Sequence, residues 1–348
     1  MSKFFNYPLL AGTILAAAGA PAAAQSSTRV ELYGVIDVGF LHDSDEVNGS
    51  STGVNSGGEA GSRWGLRGAE DLGGGWKATF QVEGGIDMTN GRSQQGDRLF
   101  GRWAYLGLAG PYGEIRAGRQ WVLGREWGGA ATPFGIAWMR SGLGTTFGYN
   151  DGDFGSSGIA DNMVMYRSPR VGGWEAALGY SFQPNGEQEA GPANNDRVLT
   201  GGLRYARGPV RVALTYEHAY ASQNRRVGGR PATDATNWQL GGSYDFEVVR
   251  VYGGVGRISD ASRGPARLME KDVAWTAGVR VPAGPGSILA SWQQTTRSDI
   301  QGGALGYQYV LSRRTDIYAF VNHTETRNRN SGEDEGRTQF SVGMRHRF

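Results

Sequence analysis

Residues equipped for covalent chemistry are scarce in this chain. None of its 348 residues is a cysteine, which excludes disulfides, thiolate metal sites and a cysteine nucleophile. Of the four histidines, His42 falls in a loop, His218 and His323 stand in no recognisable catalytic motif, and His346 lies in the last strand. A serine hydrolase needs a nucleophile beside such a base, and no Gly-x-Ser-x-Gly elbow occurs. The run Gly253-Gly254-Val255-Gly256 lacks the helix and lysine of a phosphate cradle, so it reads as sheet curvature. No catalytic residue, metal or cofactor is expected. What does recur is arginine at alternating positions. Arg63 and Arg67 interleave with Trp64, Leu66 and Gly68, Arg116 stands between Ile115 and Ala117, and Arg211 and Arg280 have similar settings. Fixed charges at this spacing break no bonds; they set an electric field wherever they share a space.

Period-two patterning defines the elements that must carry those charges. Val30, Leu32, Gly34, Ile36 and Val38 alternate with Glu31 and Asp37. Trp76, Ala78, Phe80 and Val82 alternate with Lys77, Thr79, Gln81 and Glu83, and the 210–216, 238–246 and 273–281 stretches repeat the pattern. Each is a strand with one apolar and one polar face. Sixteen such segments are expected, near 28–41, 61–71, 75–88, 100–109, 113–119, 161–168, 173–183, 197–206, 209–220, 235–246, 248–258, 271–282, 285–297, 303–311, 313–326 and 338–348. In the fifteenth, Ile317-Tyr318-Ala319-Phe320-Val321 looks apolar on both faces. Connections alternate between tight turns, such as Arg207-Gly208, and long stretches at 42–60, 89–99, 120–160, 184–196, 221–234, 259–270 and 327–337.

Short–long alternation around an even-numbered antiparallel meander is the pattern of an outer-membrane barrel. A propeller would repeat a motif every 40–50 residues or so, and none repeats. A sandwich needs a dry core, which sixteen half-polar strands cannot fill. The 58 glycines exceed the usual one in fourteen or so, and 11% aromatics is too many for a disordered chain. Lys+Arg of 35 against Asp+Glu of 33 argues against a nucleic-acid partner. Residues 1–24 read as an export signal: Lys3, an apolar run from Leu9, and Ala22-Ala23-Ala24 before a cleavage point, leaving 25–348 as the barrel domain. Past that point no stretch reaches 18 apolar residues, so helices cannot span a bilayer. Phe340, Val342, Met344, His346 and Phe348 share a phase, and a strand ending on Phe348 is suited to close a barrel against the first.

Several segments together resemble the Gram-negative general porins, especially the trimeric sixteen-stranded type of β-proteobacteria. They are Val30-Glu31-Leu32-Tyr33-Gly34, Ser62 to Gly73, Phe80-Gln81-Val82-Glu83, Leu99-Phe100-Gly101-Arg102 and Gly118-Arg119-Gln120, with Pro133-Phe134-Gly135, Tyr166-Arg167-Ser168-Pro169 and Gly343 to Phe348. Two positions depart: Met165 stands where the family often has an inward Arg, and Trp64 where Phe is common. The resemblance implies a transmembrane antiparallel sixteen-stranded barrel in the Gram-negative outer membrane. It also implies a homotrimer in contact with outer-membrane lipid and lipopolysaccharide, delivered by the barrel assembly machinery and passing ions and small hydrophilic solutes. A solute-specific channel of the same fold is the alternative. The 120–160 connection is then the third loop, folded into the lumen, with Pro133, Phe134 and Gly135 as its rigid turn. Strand phase turns Arg63, Arg67 and Arg116 to the lumen, because an Arg on lipid costs about 2–4 kcal/mol near the midplane. Glu126, Asp151 and Asp153 are the loop acids expected to face them across the constriction. Arg102, on the apolar phase with Ala104, Leu106 and Leu108, is expected near the rim. Glu31, Asp37, Glu83 and Glu217 offset the wall arginines, leaving a weak anion preference.

Overall fold

A computed structural model of the protein describes residues 28–135, 154, 158–227, 229–259, 272–297, 300–327 and 334–348. Among these, one sheet of sixteen antiparallel positions closes on itself. In chain order they are β1 (Arg29–Asp45), β2 (Gly49–Ser56 and Arg63–Gly73), β3 (Trp76–Gly85), β4 (Trp103–Gly110), β5 (Gly113–Trp121), β6 (Ile159–Arg167), β7 (Trp174–Ser181) and β8 (Arg197–Arg207). They continue as β9 (Val210–Tyr220), β10 (Ala235–Asp245), β11 (Arg250–Ser259), β12 (Asp272–Ala283), β13 (Gly286–Thr295), β14 (Ile300–Val310), β15 (Thr315–Arg327) and β16 (Asp334–Arg347). Closure pairs β1 with β16 from Val35↔Arg347 to Asp45↔Arg337. Phe348 completes it as expected: its N–H donates to Gly34 O at 3.2 Å and its carbonyl accepts from Gly34 N–H at 3.1 Å. The expected export signal, 1–24, lies outside the described residues.

The first long connection departs from expectation. Instead of a loop over 42–60, β1 runs on to Asp45 and pairs with Gly49–Ser56 through Val38↔Ser56. The second wall position is therefore one strand interrupted at 57–62, since its lower piece resumes on β1 at Val35↔Arg63. Polar side chains such as Ser44, Ser50 and Thr52 hide this hairpin, in which the outward apolar phase of β1 continues at its base with the Phe40–Val54 pair.

The alternation of the sequence becomes an inside-out distribution. Leu32, Ile36, Leu106, Leu214, Leu240, Leu305 and Met344 are all exposed on the outer face. Thr200, Glu217, Asn237 and Gln293 are buried on the inner one. Aromatics gather near the short turns, as in the Trp174–Tyr205 and Tyr244–Phe246 ring pairs at 4.9 and 4.4 Å. That is the outward apolar band with aromatic girdles of a membrane barrel.

Residues 122–135 of the 120–160 connection lie inside the barrel. A short helix, α1 (Leu123–Gly128), begins without a side-chain cap of its own. The wall supplies the missing acceptors: Leu123 N–H donates to Thr200 Oγ1 (2.9 Å) and Gly124 N–H to Glu217 Oε1 (2.8 Å). These first-turn amides have no partner within the helix, and a carboxylate also suits its positive end. Inner-wall glycines give the segment room: a Cβ at Gly202 would fall 2.7 Å from the Trp127 ring, and one at Gly241 2.5 Å from Ala131 Cβ. Gly254, in the run read as curvature, serves the same contact at 2.9 Å.

The turn at Pro133-Phe134-Gly135 rests against the far wall, where a Cβ at Gly278 would strike Pro133 at 2.6 Å. Phe134 meets Phe320 edge-on at 5.5 Å, and Phe320 stacks on Tyr318 at 4.9 Å. The apolar inner face of the fifteenth strand is thus a shelf for the loop. Met165, at the position where the resemblance implies an inward arginine, is buried in the cluster that includes Val122, Leu123 and Trp127 at the loop's base.

Two outcomes follow. Leu240→Arg, in mid-strand on the lipid face, should cost about 2–4 kcal/mol in urea-titrated folding into lipid vesicles. Phe134→Ala should cost about 3–5 kcal/mol of local packing and give single channels of larger, noisier conductance.

Candidate functional site

The charged lumen resolves into three groups. The central one surrounds a recess of about 750 Å³ between the wall and the inserted loop. Arg63, Arg102, Arg125, Arg280, Arg345 and Arg347 line it, against Glu59 and Glu83. Glu83 is the hub on one side. Its Oε1 accepts from Arg102 Nε at 2.6 Å, its Oε2 accepts from the Tyr33 hydroxyl at 2.8 Å, and Arg63 Nε stands 3.7 Å away. Arg63 also donates to Gly61 O at 2.8 Å. Trp121 organises the loop side. The guanidinium carbons of Arg102 and Arg125 lie 5.1 and 4.6 Å from its ring centroid, Trp103 stacks on it at 5.4 Å, and its indole N–H donates to Arg102 O. Burial, with Arg102 and Arg119 nearby, pulls the Arg125 guanidinium down to about 9, so it stays charged at neutral pH. On the adjoining strands β15 and β16, joined to this side through β1, Asp316 accepts from Arg345 and Arg347 at 3.1 and 2.9 Å.

The second group lies toward the end with the tight turns. Arg67 donates to Glu31 at 3.1 Å and sits over Tyr33, while Arg116 pairs with Glu114 at 2.6 Å and sits over Tyr105. Gln81 links the two tyrosines, donating to Tyr33 and accepting from Tyr105. Behind the loop is the third group, where Glu126 accepts from Arg167 at 2.6 Å and Glu175 accepts from Arg170 and Arg204. Arg211 borders the same chamber.

Strand phase therefore places Arg63, Arg67, Arg116, Arg211 and Arg280 in the lumen, as expected, and the inward acids Glu31, Asp37, Glu83 and Glu217 with them. It does not bring them together: Arg63 belongs to the recess, whereas Arg67 and Arg116 form a separate step below. Glu126 faces Arg167 rather than Arg63, and the loop charge turned toward Arg63 and Arg102 is Arg125. Asp151 and Asp153 lie outside the described residues. Arg102 is not at the rim. Strand β4 begins at Trp103, so the chain at Arg102 has not entered the alternation, and its side chain turns inward onto Glu83. Arg345 and Arg347 carried a readable signal, being on the opposite phase from Val342, Met344 and His346. Trp103 and Trp121 carried none, since alternation distinguishes faces but not an apolar inner wall under a loop.

Chemically, the site holds guanidinium groups spaced along a wet path with their counter-charges mostly in the wall. Among the described residues no group of three or more His, Cys, Asp or Glu could hold a metal ion. Such an arrangement attracts and orients passing ions without capturing them.

Comparison with known proteins agrees with this geometry. A family model described as Gram-negative porin matches residues 11–329. An outer membrane porin protein of Bordetella pertussis is 36% identical, with 98% of this chain and 99% of the relative aligned. Outer membrane porin protein 32 of Delftia acidovorans is 31% identical over the same shares of each chain. Among solved structures, an anion-selective porin from Comamonas acidovorans superposes with a TM-score of 0.77 at 27% identity, covering 92% of this chain and 100% of that one. With a closed sixteen-position barrel, a hydrated charged lumen and relatives aligned from end to end, the chain belongs to the Gram-negative porin family and forms a passive diffusion channel in the outer membrane.

Proposed function

We propose that the channel favours small anions and that its selectivity is set at the central recess. One observation carries this reading: six arginines line the recess against two glutamates among the described residues. Arg63 and Arg102 form the wall side with Glu83, Arg125 the loop side, and Arg67 and Arg116 a second basic step toward the periplasmic mouth. Asp151 and Asp153 are proposed to complete the transverse field from the loop, and Glu126 to hold the loop's rear against Arg167. The name of the Comamonas relative, an anion-selective porin, agrees with this sign. In a planar bilayer under a potassium chloride gradient, the reversal potential should have the sign of anion permeation. Arg63→Gln and Arg102→Gln should each lower the anion/cation permeability ratio about two- to threefold, the effect of about half a kT of local potential acting with opposite sign on the two ions. Ohmic conductance is expected for a general pore; saturable block by a solute would point to a solute-specific channel instead.

The working unit is proposed to be a homotrimer. Strands β4 and β7 have eight residues each and β5 and β6 nine. At about 3.3 Å per residue and a tilt near 40°, eight residues reach about 20 Å, short of an apolar band of about 25 Å. A wall that low is better covered by a neighbouring copy than by lipid, and Leu106, Leu108 and Ile115 give it an apolar outer face. Light scattering in detergent should give three protomer masses, and Leu106→Arg with Ile115→Arg should reduce that to one. Residues 1–24 are assigned to export, lipopolysaccharide to the outer polar strand ends, and the barrel assembly machinery to delivery of the closing strand.

A further inference from the structure

One part of the recess wall does not come from a strand. Between the two pieces of β2, residues 57–62 turn inward and wrap the side chain of Asp37, which is fully buried. Asp37 Oδ2 accepts from the backbone N–H of Glu59 (2.9 Å) and of Ala60 (2.7 Å), and Oδ1 accepts from the Tyr318 hydroxyl (2.5 Å). Ser62 Oγ accepts from Asp37 N–H at 3.0 Å and donates to Asp37 O at 2.9 Å, while Gly57 N–H donates to the same carbonyl at 2.8 Å. A Cβ on Gly58 would come within 2.3 Å of the Tyr318 hydroxyl, so the close approach requires glycine. The turn carries Glu59 to the recess, where its carboxylate lies 3.3 Å from Arg345 Nη1.

We propose that Glu59 is a specificity-determining acid of the pore, and that Asp37 and Tyr318 are positioning residues that hold it opposite Arg345. Resting on the recess being the conducting path, the inference assigns Glu59 the task of tempering the arginine surplus. Without its charge, Arg345 answers mainly to Asp316 and the local potential rises. Tyr318 has a double attachment, its hydroxyl fixing the 57–62 turn through Asp37 and its ring stacking on the Phe320 that receives Phe134. The two segments that intrude on the lumen are thereby held at one point.

The test uses the mature protein in planar bilayers, with heat-modifiable gel migration to establish folding. Glu59→Gln keeps the shape and removes the charge, and should raise the anion/cation permeability ratio about two- to threefold, the equivalent of about half a kT of local potential. Tyr318→Phe keeps the ring stack and removes the hydroxyl. It should move the ratio in the same direction by a smaller factor, and the double variant should move it no further than Glu59→Gln alone. An unchanged ratio in Glu59→Gln overturns the role of the acid; an unchanged ratio in Tyr318→Phe, or additive shifts, overturns the positioning role. A wild-type pore without anion preference would defeat the selectivity reading alone, because the comparison here is between variants.

Discussion

A backbone amide or carbonyl left unpaired in hydrocarbon costs several kcal/mol, and a sheet in a membrane accumulates that cost along any free edge. The pairing of β1 with β16, finished by the reciprocal Gly34–Phe348 bonds, removes both edges at once. Every other property depends on that closure. Because the sheet has no edge, its two faces see different solvents along their whole length. Because one of those solvents is an enclosed water column, arginine and glutamate can stand in rows that a dry core would reject.

The column is not uniform. A loop that would clash with an ordinary wall is admitted by glycines at Gly202, Gly241, Gly254 and Gly278, and an aromatic shelf at Tyr318 and Phe320 receives its turn. Beside that shelf a second intrusion, at 57–62, is tied to Asp37 and through it to Tyr318. What remains between them is bordered by more guanidinium than carboxylate. Selectivity is thus assembled from packing as much as from charge, since the positions of Arg125 and Glu59 follow from what their segments rest on.

Much of this was legible from alternation. It located the strands, the lipid face and the lumenal orientation of Arg63, Arg67 and Arg116, because the energetic penalty for the wrong face is large and applies at every residue. Where that penalty vanishes, legibility ends. The Gly49–Ser56 strand shows almost no hydrophobic pattern, since Val54, opposite Phe40, is its one large apolar side chain. Arg102 misled because phase was extended one residue beyond the start of a strand. The doubly apolar fifteenth strand was visible as an irregularity, but its meaning needed the partner, Phe134, supplied from almost two hundred positions earlier. Charge groupings such as Arg167 with Glu126 depend on loop placement, which no periodicity encodes.

The docking of α1 also has a consequence in time. Its first amides are satisfied by Thr200 and Glu217, which pair with each other across β8 and β9 and are made well after the loop itself. Until those strands exist, the helix start has no acceptors and the loop no seat. The narrowing of the lumen thus depends on strands from the second half of the chain, and α1 cannot take its seat before β8 and β9 are in place.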